Sequence, residues 1–340
     1  MTRKLSPDPK LSRRRFLMVA GAAAALGLTS QAAFASADIP VHRWRGIALG
    51  AEAEIRLVHP DKREANRILK AAEAEIRRLE AIFSLYREDS ALVRLNREGS
   101  LAAPPLDLVS LLGTVDLVHS STGGAFDPTV QPLWSLYARH FVENPAAIEG
   151  PDPRKIAETL GRTGWYAVDF DADRIRFTCD GMALTLNGIA QGYVTDRVAA
   201  LLKSNGISDV LVDVGEINAL GRDRAGSDGW AVTLDPDHSG EGERVTLRDR
   251  AVASSARNGM LIGGDKSFAH ILDPRTGRPV ATDLAGVSVI APTATLADGL
   301  STAALVTGFD GLKSSLGKFD GVSARALLET GELRWLGKTG

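Results

Sequence analysis

Residues 183–214 read ALTLNGIAQGYVTDRVAALLKSNGISDVLVDV, and the reading of this stretch decides the fold class. Alternation predicts a strand over 183–186, a glycine turn at Gly188, a helix over 192–205 with Gly206 as its stop, and a second strand over 208–214. Such a passage could begin a regular βαβ array, but its surroundings argue against one. Downstream, strands are predicted over 230–234, 251–255, 268–272 and 287–290 before the next helix, 295–306; residues 324–335 close as a hairpin turning at Thr330-Gly331. Upstream, 53–58 predicts a strand and 64–83 a long amphipathic helix burying Ile68, Leu69, Ala72, Ile76, Leu79 and Ile82. A second helix follows Pro104-Pro105, Asp152-Pro153 starts a third, and Val168–Phe170 with residues 175–177 form a hairpin. Helices thus lie between groups of strands without regular alternation. The class is α+β, mixed sheets with flanking helices, in one domain with a helical lobe near 64–160.

Composition narrows the function. The 340 residues are 44% hydrophobic and 24% charged, as in soluble globular proteins, and the net charge of −2 offers no basic surface for nucleic acid. The lone cysteine, Cys179, can form no intrachain disulfide. Residues 1–35 predict an export signal: Ser12-Arg13-Arg14-Arg15-Phe16-Leu17, a short apolar run, then Ala33-Phe34-Ala35 as the cleavage site. The paired arginines match the twin-arginine pathway, which exports folded proteins; an arginine-rich general secretory signal is the alternative. The apolar run is too short to span a bilayer as a mature helix, so no membrane insertion is expected after cleavage. The remaining 36–340 carries 34 basic and 41 acidic residues and is expected in the periplasm.

Common catalytic motifs are missing. There is no dinucleotide-binding G-x-G-x-x-G, no H-E-x-x-H and no G-x-S-x-G, and the six histidines are scattered singly. Five stretches remain: Phe83-Ser84-Leu85-Tyr86 with Ser90 and Leu95-Asn96; Gly124-Ala125-Phe126-Asp127-Pro128-Thr129-Val130; Leu186-Asn187-Gly188-Ile189-Ala190-Gln191-Gly192-Tyr193; His270-Ile271-Leu272-Asp273-Pro274 through Pro279; and Ala297-Asp298-Gly299-Leu300-Ser301-Thr302-Ala303. On a helix, Asp298 and Thr302 share one face. Each stretch has a plainer reading: Tyr86 as a rim aromatic, Asp127-Pro128 as a turn, Asp298 and Thr302 as a helix-start cap, His270 as a brace of its turn.

In order along nearly the whole mature chain, these stretches resemble the FAD:protein FMN transferase (ApbE) family, whose patterns include F-S-x-Y, G-A-F-D-P-T-V, H-I-x-D-P-x-T-G-x-P and A-D-A-L-S-T-A. The resemblance implies a T-fold-like catalytic domain over 36–340 that, with Mg²⁺, cleaves FAD and attaches FMN to a threonine of an exported or membrane-bound acceptor protein, releasing AMP. It implies metal contacts from Gly188, Asp298 and Thr302, and FAD contacts from Leu49, Tyr86, Ala125, Phe126, Asp127, Thr185, Gln191 and Leu272. His270 becomes the general base for the incoming hydroxyl. An FAD pyrophosphatase and a non-catalytic flavin-binding protein are the alternatives. Departures from the family pattern are Thr185 where Asp is frequent, Gln191 for Lys or Glu, and residues 213–218, which lack N-x-G-G-D. Ser301 gives no second carboxylate near the metal.

Overall fold

Eight strands build the main sheet: β1 (Val41–Ala48), β2 (Ala51–Val58), β3 (Val210–Asp213), β4 (Ile217–Leu220), β5 (Arg250–Ala256), β6 (Leu284–Ala291), β7 (Ser323–Leu328) and β8 (Leu333–Leu336). Their order in space follows their order in the chain, and every neighbouring pair is antiparallel. This computed structural model describes residues 39–224, 227–237, 239–240, 242–262 and 268–337. The export signal expected over 1–35 lies outside the described residues, among which no helix is long and apolar enough to cross a membrane.

Between β2 and β3, which pair with Ile55 opposite Val212, the chain inserts residues 59–209. That insertion holds six helices: α1 (Lys62–Phe83), α2 (Ala91–Glu98), α3 (Leu106–Ser121), α4 (Gln131–Glu143), α5 (Pro153–Leu160) and α6 (Ala190–Ser204). A seventh, α7 (Ala294–Leu316), follows β6. Alternation along the strands divides the apolar residues between the two faces of the sheet. Val210, Val212, Ala253, Val287 and Val289 pack in the main core with α1, α6 and α7. Leu211, Ala219, Val252 and Ile290 face the other way, under a hairpin of Trp230–Leu234 and Glu243–Leu247. The helices of the 59–209 insertion contribute to the same core as the sheet, and Asp38–Gly340 form one compact unit, so the expected helical lobe does not stand apart.

The local signals behave as their chemistry requires. Asp61 caps α1 by accepting the Arg63 and Glu64 N–H groups, and the predicted stripe Ile68, Leu69, Ala72, Ile76, Leu79 and Ile82 is buried. Gly206 stops the segment after α6 at a φ of 81°.

Three expectations change. Residues 183–186 belong to no sheet. The Asn96 side chain takes the place of a neighbouring strand, accepting the Leu184 N–H at 2.7 Å and donating to its carbonyl at 2.8 Å. The strand expected over 268–272 is split, because Phe268–Ala269 pairs with Leu261–Ile262 while Leu272–Asp273 pairs with Arg278–Pro279. The change of partner falls at His270-Ile271. Helix α7 runs beyond 306, past a break at Gly308 with a φ of 72°, after which Asp283 accepts the Phe309 N–H at 3.0 Å and recaps it.

Candidate active site

A cleft of about 720 Å³ opens where the turn into α6, the first half of α7, the end of β5 and the segments around 125–128 and 270–272 converge. Ten residues singled out by sequence line it: Ala125, Phe126, Asp127, Thr185, Gly188, Gln191, His270, Leu272, Asp298 and Thr302.

The close crossing of α6 and α7 makes its floor. A Cβ on Gly192 would lie 2.4 Å from the Ala294 carbonyl oxygen, so only glycine permits this approach. Each helix caps the other with a carboxylate. From α7, Asp298 Oδ2 accepts the Gly192 N–H at 3.1 Å; from α6, Asp196 accepts the Ala294 and Thr295 N–H groups, both at 2.8 Å, and the Thr295 hydroxyl at 2.6 Å. Helix N-termini favour negative charge, so both carboxylates suit these positions. One turn beyond Asp298, Thr302 Oγ1 donates to the Gly188 carbonyl at 3.4 Å. A Cβ on Gly188 would come within 2.8 Å of that hydroxyl, so the contact depends on glycine.

Asp298 is only 3% exposed, and burial pushes its carboxyl up to about 7, against the pull of the Gly192 N–H. A buried carboxylate of this kind seeks a cation. Its neighbours are hard oxygens, a hydroxyl and a main-chain carbonyl, a donor set that fits Mg²⁺ completed by water and phosphate oxygens. No group of three or more His, Cys, Asp or Glu side chains forms a metal cage among the described residues. The fit is therefore to an ion shared with a ligand.

His270 sits at the break between the two short hairpins, half-buried. The Met260 carbonyl accepts both its backbone N–H, at 3.3 Å, and its ring Nδ1–H, at 2.8 Å. A carbonyl can only accept, so the proton is on Nδ1 and Nε2 keeps its lone pair. Burial lowers the imidazole below its usual 6.5, with the Met260 carbonyl opposing the shift. The ring is thus neutral near pH 7. The following turn is stiff as expected: Asp273 accepts the Arg275 N–H at 2.9 Å and its guanidinium at 2.9 and 2.7 Å, and its carbonyl accepts the Gly277 N–H at 2.8 Å.

Asp127 spends both carboxylate oxygens within the protein, on the Thr129 N–H and hydroxyl at 2.8 and 2.6 Å and on the Trp165 N–H at 3.1 Å. Its contribution to the cleft is a fixed loop. Thr185 donates its N–H to the Pro128 carbonyl at 2.8 Å, joining that loop to the α6 turn. Gln191 packs over Gly215, whose φ of 89° and missing Cβ make room for it. Leu49 is not itself in the lining, although Gly50 and Ala51 are; it turns the β1–β2 hairpin at a φ of 48°, its N–H held by Glu80 at 2.8 Å. Tyr86 is also outside the lining and is 79% exposed.

The structure adds residues that sequence reasoning missed. Glu216, at the β3–β4 turn, lines the cleft and is 8% exposed; burial, then the charge of Asp298, raises its carboxyl well above 4.5. The expectation that Asp298 has no second carboxylate nearby is corrected: the partner comes from the sheet and not from α7. Asp196 was missed as well, while Asn96, marked within the first stretch, was given no structural role. Glu216 lies in the 213–218 segment noted only as a departure from the family pattern, and no sequence signal marks Asp196, since an Asp within a helix is common on surfaces.

The sequence profile described as the ApbE family matches residues 49–325. Among curated proteins, the chain is 33% identical over 267 residues to a FAD:protein FMN transferase of Treponema pallidum, covering 72% of each chain. It is 31% identical over 255 residues to one of Haemophilus influenzae, covering 70% of this chain and 72% of that one. Among solved structures, the apo flavinyl transferase ApbE of Pseudomonas stutzeri superposes with a TM-score of 0.75 at 27% identity, covering 88% of this chain and 95% of that one. The apbe protein of Thermotoga maritima does so at 0.75 and 26% identity, covering 87% and 97%.

Proposed function

The chain belongs to the ApbE family, and from that premise we propose that it is a FAD:protein FMN transferase. FMN passes from FAD to a threonine hydroxyl of an acceptor protein, and AMP leaves. What supports this reading most directly is one meeting of groups. The Gly188 carbonyl, the Thr302 hydroxyl and the Asp298 carboxylate share a cleft with a neutral imidazole, although Gly188 and Thr302 are 114 positions apart in sequence.

Asp298, Thr302 and the Gly188 carbonyl would hold Mg²⁺. A bound Mg²⁺ supplies charge neutralisation to the pyrophosphate. His270 Nε2 accepts the proton of the threonine hydroxyl as that oxygen bonds to the FMN phosphorus. The bond from this phosphorus to the bridging oxygen breaks, and the electron pair leaves on AMP. The loop at 125–128 and Leu272 position the flavin nucleotide. Arg13 and Arg14 direct the folded protein to the twin-arginine pathway, so that it meets an exported or membrane-bound acceptor in the periplasm.

Incubating residues 36–340 with FAD, Mg²⁺ and a threonine-containing acceptor tests the reading. Flavin fluorescence that stays on the acceptor in a denaturing gel is the expected result. Free FMN and AMP without labelled acceptor would replace it with an FAD pyrophosphatase, and unchanged FAD with a flavin-binding protein.

A further inference from the structure

The turn between β3 and β4 places Glu216 in the lining of the cleft. Gly215, in the left-handed region, reverses the chain, and the Val214 N–H closes the turn on the Glu216 carbonyl at 3.0 Å. Two neighbouring elements then fix the residue. Thr195 of α6 donates its hydroxyl to the Glu216 carbonyl at 3.1 Å, and the Ser254 N–H of β5 donates to Oε2 at 3.2 Å. One carboxylate oxygen is thereby oriented by the sheet, in a residue that lines the cleft.

Among the described residues, the charges that act on this carboxylate are those of Asp298 and Asp213, both negative. Two nearly buried carboxylates that line one cleft repel unless a cation or a proton joins them. The site already offers the Gly188 carbonyl and the Thr302 hydroxyl, oxygens suited to a hard cation.

We propose that Glu216 is a second acidic ligand of the divalent cation held by Asp298, Thr302 and the Gly188 carbonyl. This rests on the metal-assisted reading above. Glu216 takes the place of the carboxylate that α7 lacks at Ser301, and the ordering of Oε2 by Ser254 presets its orientation. A ligand set with two carboxylates retains the cation between turnovers more firmly than one carboxylate can.

Mn²⁺ serves as the probe, its binding to residues 36–340 followed by electron paramagnetic resonance with and without FAD. Wild type, Glu216→Gln and Asp298→Asn are compared. Both variants should bind Mn²⁺ at least about tenfold more weakly than wild type, the scale on which support of a metal site is felt. The metal-free Glu216→Gln protein should melt at or above the wild-type temperature, since a buried repulsion is gone. If Glu216→Gln binds Mn²⁺ like wild type while Asp298→Asn does not, the Glu216 assignment is overturned and the metal reading stands. If neither variant differs from wild type, or wild type takes up no Mn²⁺ in either condition, both are overturned. Should Glu216→Gln fail to fold, Glu216→Asp keeps the charge but withdraws it by one methylene; weakened Mn²⁺ binding supports the assignment and unchanged binding overturns it.

Discussion

His270 owes its chemistry to contacts that its sequence neighbours do not make. The Met260 carbonyl chooses its tautomer and burial keeps it neutral, so that Nε2 can accept a proton at the pH where threonine must react. Replacing His270 by Ala should lower the transfer rate by about 10²–10⁴-fold, the usual worth of a general base, with little change in FAD affinity. Single-turnover transfer alongside equilibrium FAD titration separates the two. Equal losses in rate and affinity would assign the ring to bracing. Because the imidazole lies below its ordinary 6.5, the acid limb of the rate–pH profile should fall below that value; a limb above it contradicts the neutral, buried ring.

At the scale of elements, the crossing of α6 and α7 decides whether Gly188, Asp298 and Thr302 meet at all. Asp196 reaches from α6 to the first turn of α7, and Asn218 donates to it at 2.9 Å from β4. Asp196→Ala should cost about 0.5–2 kcal/mol, the range of a lost helix cap, and should also weaken Mn²⁺ binding, although Asp196 is not placed among the ligands. Thermal melting and Mn²⁺ titration read the two effects separately. Gly192→Ala drives a methyl group into the Ala294 carbonyl and should destabilise by about 1–3 kcal/mol, as overpacking does. A Gly192→Ala protein with wild-type melting and activity would mean that the helices have slack at their crossing. The same scale explains the missing strand at 183–186. Its alternation is real, but the partner that satisfies Leu184 is one asparagine side chain, which no local pattern announces.

Across the whole molecule, the buried carboxyls make stability depend on pH in a defined direction. Asp298 holds its proton more tightly folded than unfolded, rising from an ordinary 3.8 to about 7, and Glu216 shifts the same way. Their contribution is complete below about 3.8 and is lost as pH rises towards 7, because the unfolded chain releases these protons first. The metal-free protein should therefore lose melting temperature across that window, and divalent cation should restore more of it near pH 7 than near pH 4. A flat difference with and without cation would contradict the placement of the ion against Asp298. Export is the other prediction at this scale: Arg13→Lys with Arg14→Lys should leave the protein folded in the cytoplasm, as fractionation would show. By itself the sequence determined the α+β class, the long helix with its Asp61 cap, and the ordered motifs that mark Gly188, His270, Asp298 and Thr302, because periodicity, capping and tight glycine turns act over a few residues. Only the tertiary structure decided that the eight strands follow one another in space, that α6 and α7 cap each other, and that Glu216 and Asp298 line one cleft. Those facts depend on which distant segments are packed together, and an isolated Glu, Asp or Asn has the same local propensity whether it ends in water or in a cleft.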